Sequence, residues 1–118
     1  MTPKKPKVIP PRPTLIEWAE ALESGRYSQG KCALRPQTDQ YCCLGVWCDL
    51  VDSTAWRAGG DARCPLQWRR SDEIPPRTEC SQLKRLGIDT RGYARLNDAG
   101  YSFCDIAAKI REAAKERK

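Results

Sequence analysis

Tyr41 to Cys48, YCCLGVWC, is the longest uninterrupted apolar run in the chain, and the rest must fold around it. It falls far short of the roughly 20 residues that cross a bilayer, so it reads as the centre of a core rather than a membrane span. A chain of 118 residues fits one domain, which buries only about two-thirds of its unfolded surface. Core positions are then scarce, and large apolar side chains are read first as structure.

Wound as a helix over about Tyr41 to Val51, the segment puts Leu44, Trp47, Cys48 and Val51 on one stripe, with Cys43 beside Trp47 and Leu50 along its edge. Two of its three thiols then face the core, where free cysteine behaves as a small apolar side chain. Gly45 inside a helix costs roughly 1 kcal/mol relative to Ala, which predicts that something packs closely against that turn. The chain holds seven cysteines and no histidine. A structural zinc site wants paired ligands such as CxxC; no CxxC occurs, and Cys32, Cys64, Cys80 and Cys104 are scattered singly. Buried, reduced cysteine is the reading adopted, with zinc or iron-sulfur binding and disulfides as alternatives. An odd count without a signal peptide fits a reducing compartment.

The lack of histidine also removes the commonest base for a cysteine nucleophile. Ala58 to Gly60, AGG, lacks the frame of a phosphate-binding loop. No catalytic residue, metal ligand or cofactor is therefore assigned, and the chain is expected not to be an enzyme.

Further helices follow from caps and stripes. Thr14 and Glu17 form a capping box ahead of Leu15, Trp18, Ala19 and Leu22, with Ser24 and Gly25 as the stop. Pro75 and Pro76 open a helix that ends near Leu86 and Gly87. Thr90 can cap a short helix through Tyr93 and Leu96 that stops at Gly100. Ser102 and Asp105 make a second capping box leading into Phe103, Ile106, Ala107 and Ile110, and its last turn carries cations that suit the helix dipole. Lys31 to Arg35 is the candidate strand of a minor hairpin reaching Tyr41. The expected fold is mainly α, a single small domain of four to five short helices over residues 14–118, with a long loop at 53–74 and a basic, proline-rich, disordered tail over residues 1–13.

The net charge of +6 is not spread over the domain. Residues 1–14 contribute +4, and residues 109–118, with five positive and two negative side chains, contribute +3, leaving −1 for everything between. A nucleic-acid reader usually carries its basic stripe on the folded domain. Here Lys4, Lys5, Lys7 and Arg12 could hold phosphate only as a tail, by counterion release. The tail is neither a secretory signal nor a membrane anchor, and a cytoplasmic location is expected.

A surface function is best sought in the long loop, which holds Trp56, Arg57, Arg63, Trp68, Arg69 and Arg70. Trp and Arg are the residues that interfaces use as anchors, and Trp can also stack on bases beside a phosphate-holding Arg. The competing reading folds both tryptophans back as lids on a small core. Trp18 and Trp47, on apolar stripes, are read as core.

WAEALESGRYSQGKCALRP, YCCLGVWCDL and LNDAGYSFCDIAAKI together resemble a group of small proteins of unassigned function encoded in tailed-phage and prophage genomes. The likeness covers Trp18 to Pro36, Tyr41 to Leu50 and Leu96 to Ile110. It implies a phage accessory protein in the host bacterial cytoplasm, one that binds and modulates a host macromolecule. A host protein is the first expectation, through host takeover or anti-defence inhibition, and a nucleic-acid-associated role the alternative. LNDAGYSFCDIAAKI also resembles the opening of helix-turn-helix domains, but no recognition helix for the major groove follows it, so a plain two-helix packing unit is expected.

Overall fold

The computed structural model describes residues 12–58, 66–71 and 73–116. Thr14 caps the first helix: its hydroxyl accepts from the Glu17 N–H, and the Glu17 carboxylate accepts from the Thr14 N–H, so two orphan donors are satisfied reciprocally. That helix, α1 (Leu15–Glu23), ends at Ser24, with Gly25 beyond it at a φ of 79°. Two further short helices, α3 (Arg77–Arg85) and α4 (Thr90–Asp98), follow the central α2 (Cys43–Val51), and α5 (Phe103–Lys115) closes the fold. The chain is thus mainly α, with five helices among the described residues. α5 begins with the Ser102 and Asp105 capping box expected of it. At α4 the cap position belongs to Asp89, and Thr90 is the first helical residue, with its hydroxyl turned toward the Cys80 sulfur.

α1 lies along α5, and α2 packs against both α1 and α4. The core between them holds Trp18, Leu44, Trp47, Cys48, Ile106 and Ile110, all without solvent exposure. Trp18 and Trp47 meet edge to face at 5.4 Å, a favoured geometry for aromatic rings. The Trp18 indole N–H donates to the Cys43 main-chain oxygen at 2.9 Å, tying α1 to the first turn of α2.

α2 starts two residues later than its apolar run suggests, because Cys42 takes the cap position and its sulfur accepts from the Gly45 N–H. All three clustered thiols are consequently buried, not two. Burial pushes the Cys42 thiol up to about 12 and the Cys43 and Cys48 thiols well above the ordinary value. The close approach at Gly45 is the main chain of Leu34. A β-carbon on Gly45 would fall inside the Leu34 carbonyl oxygen and 2.7 Å from its carbon.

Two small sheets stand among the described residues, and neither uses Lys31 to Arg35 as a strand, although one reaches the Tyr41 end of the expected hairpin. β1 (Ser28–Gln29) pairs in parallel with β2 (Gln40–Tyr41), Ser28 opposite Gln40. The Lys31 to Arg35 stretch between them is bent and unpaired as a strand: Cys32 sits at a φ of 71°, and Ala33 and Leu34 are both buried instead of alternating. Within the supposed long loop, β3 (Trp56–Ala58) and β4 (Leu66–Trp68) form an antiparallel ribbon with Trp56 opposite Trp68.

Candidate functional site

The ribbon is pinned to α2 by its two indoles. Trp68 has no exposed surface, and its Nε1–H donates to the Asp52 main-chain oxygen at 2.9 Å. Trp56 is also buried and donates to the Asp49 carboxylate at 3.0 Å, while the Tyr27 hydroxyl donates to the other Asp49 oxygen at 2.7 Å. Tyr41 packs edge to face on both Tyr27 and Trp56, and the Arg35 guanidinium lies 4.7 Å over its ring. Burial, then the bond to Asp49, holds the Tyr27 phenol far above its ordinary value. These groups are occupied with one another, which corrects the reading of Trp56 and Trp68 as exposed anchors. They are the inner face of the ribbon.

The described arginines are its exposed members. Arg57 is exposed and folds its Nη1 back onto the Thr54 and Trp56 carbonyls. Arg69 and Arg70 occupy the two centre positions of a tight turn in which the main chains of Trp68 and Ser71 bond reciprocally at 2.8 and 2.9 Å. Their φ angles are 49° and 71°. Such positive values belong to the type I′ hairpin turn, whose preferred residues are Asn and Gly. Arg69 stacks 4.3 Å over the Trp68 ring and reaches Asp52 at 3.4 Å. Thr54 hydrogen bonds, more than Arg69, hold the Asp52 carboxyl below its ordinary value. Arg70 is exposed and makes no contact of this kind among the described residues. Arg63, Lys4, Lys5, Lys7 and Cys64 lie outside the described residues.

Residues 15–61 match the family described as Domain of unknown function (DUF8296). The match takes in the Asp49, Tyr27 and Trp56 cluster and stops short of β4 and its arginine turn. No curated protein and no solved structure matches the chain.

Arg12 is not a free tail cation. Its guanidinium grips Glu79, Nε to both carboxylate oxygens at 3.0 and 3.1 Å and Nη2 to Oε2 at 2.7 Å. Glu79 has no exposed surface, and the Trp47 indole N–H donates to it as well. Burial alone would raise this carboxyl; the bonds from Arg12 and Trp47 outweigh it and bring it below the ordinary value.

A second buried polar residue explains why LNDAGYSF reads as a unit. The Asn97 amide donates to the Gly30 carbonyl at 2.7 Å and accepts from the Cys43 N–H and from Gln29. Gln29 in turn bonds the Tyr101 carbonyl and the Phe103 N–H. The motif joins β1, α2, α4 and α5. Among the described residues no group of three or more Cys, Asp or Glu converges as a metal site would require, and no helix is long and apolar enough to cross a membrane.

Proposed function

We propose that the protein is a non-enzymatic binding module that holds an acidic surface of a host protein with Arg57, Arg69 and Arg70. On its sequence resemblance it acts as a phage accessory protein in the bacterial cytoplasm. The observation that carries this reading is the pair of consecutive arginines held at positive φ in the Trp68 to Ser71 turn. A non-glycine residue in this region costs about 1–3 kcal/mol, a strain that concentrates at functional positions. Asn and Gly would relieve it but carry no charge. Trp68 and Trp56 beneath make the ribbon a rigid support, which lowers the entropy lost on binding. The clustered thiols, buried and held protonated, are not poised as nucleophiles. In a nucleic-acid reading Arg12 belongs to the folded edge beside Glu79 and not to a free basic tail, and Tyr101 is the one aromatic strongly exposed among the described residues.

The test is the double change Arg69→Asn with Arg70→Gly, which gives the turn its preferred residues. A melting temperature at or above that of the wild type, with loss of partner capture from nuclease-treated bacterial lysate, is the expected result. Capture undiminished in the double variant would refute the reading.

A further inference from the structure

We propose that the groove between the approach to α1, the outer side of α3 and the end of α5 is a binding site for a small amphiphilic carboxylate, with Arg12 taking the head group. The groove holds about 360 Å³ and is walled by Ile16, Leu86 and Ala114 over Trp47, with Arg12, Thr14 and Gln82 as polar members. That volume lies at the lower end of the small-molecule range, and a mostly apolar wall with a few converging polar groups is the usual composition of such sites.

Three observations select the ligand. Ile16, 39% exposed, is one of only two large apolar side chains so exposed among the described residues, and it stands on the groove wall. Arg12 spends Nε and Nη2 on Glu79, while Nη1 bonds no described residue. A guanidinium carries five N–H donors in a planar fork, so an edge remains for a second carboxylate; the side chain is 26% exposed. Among the described residues Arg12 is also the one charged member of the groove wall, and the half-buried Gln82 amide there has no hydrogen-bond partner among them. The open donor edge beside Glu79 thus favours a planar carboxylate acceptor at the head, with apolar contact along the body.

The test uses full-length protein and the series hexanoate, octanoate and decanoate, with decan-1-ol as the uncharged match. Titration calorimetry gives Kd, and the Trp47 indole N–H resonance reports on the groove floor. Affinity should rise about three- to fourfold per added methylene, and decanoate should bind at least about tenfold tighter than the alcohol, as expected for a charge-assisted bond. Arg12→Lys keeps a cation beside Glu79 but loses the planar second edge, and it should abolish the preference for carboxylate over alcohol. Ile16→Glu, at an exposed position, should weaken both ligands with an unchanged melt.

Equal binding of decanoate and decanol, no shift of the Trp47 resonance, or an unaffected Ile16→Glu variant would each overturn the proposal. So would a tenfold gain in decanoate affinity on changing Val8 and Ile9 to Ser, which would make the chain's own apolar segment the occupant.

Discussion

Arg12 and Glu79, 67 positions apart in the chain, meet through three hydrogen-bond contacts at the edge of the core, and the carboxylate has no access to solvent. Removing one partner of a buried pair leaves an uncompensated charge, so Arg12→Ala should cost about 3 kcal/mol or more at neutral pH. The pH dependence carries the sign. In the wild type the folded Glu79 carboxyl lies below its ordinary value, so its contribution is complete above the unfolded glutamate pKa of about 4.3 and is lost as pH falls through the folded value. Without Arg12, burial dominates and the folded carboxyl rises, so acidification adds stability at this site. Melts from pH 3 to 7 should show the deficit of Arg12→Ala shrinking toward acid. Parallel curves would contradict the assignment.

Gly45 and Leu34 are in main-chain contact, and Leu34 cannot withdraw because its carbonyl also accepts the Cys42 N–H at 3.0 Å. Gly45→Ala would gain roughly 1 kcal/mol of helix propensity. Overpacking of a tight core costs about 1–3 kcal/mol, at its greatest against a fixed backbone. The loss should dominate, with net destabilisation of about 1–2 kcal/mol in chemical denaturation.

Gly45 was legible because a glycine inside an apolar helix has few explanations, and the caps at Thr14 and Ser102 were legible because their chemistry is local. The strands were not. Trp56 to Ala58 and Leu66 to Trp68 are three residues each, too short for an alternating period to be counted, and their order comes from Asp49 and Asp52 on α2. Arg12 was read with its charged neighbours, since nothing near it in sequence announces a partner 67 positions away. Asn97 and Glu79 went unnoticed for the same reason: a buried polar side chain looks like a surface one until its distant partners are known.

The thiols divide by burial. Cys32 and Cys104 are exposed and should react promptly with a thiol reagent, whereas Cys42, Cys43 and Cys48 should react only as the protein unfolds. Because their folded pKa values are raised, the stability they contribute is complete below the unfolded cysteine pKa of about 8.5 and declines as pH rises above it. Each such thiol adds up to about 1.4 kcal/mol per pH unit to that decline. Stability measured between pH 8 and 10 should therefore fall, and Cys48→Ala should lessen the slope by the share of one thiol. A flat profile would mean that the three sulfurs are not shielded.

Trp68 decides whether the ribbon can carry a function of its own. Its ring is buried, its indole holds the end of α2, and Arg69 lies on its face. Trp68→Ala should cost about 3–5 kcal/mol, the range for deleting a buried large aromatic side chain, a large part of the stability of a domain of this size. Trp68→Phe keeps most of the packing and the platform under Arg69 but gives up the bond to the Asp52 carbonyl, at about 1 kcal/mol. The two variants should therefore separate sharply in thermal melts, with the phenylalanine variant folded and still able to capture a partner. If Trp68→Ala melts near the wild type, the ribbon is not anchored by this indole. In that case the strained arginine turn beyond it would have no rigid support, and the preorganisation on which the binding reading depends would be gone.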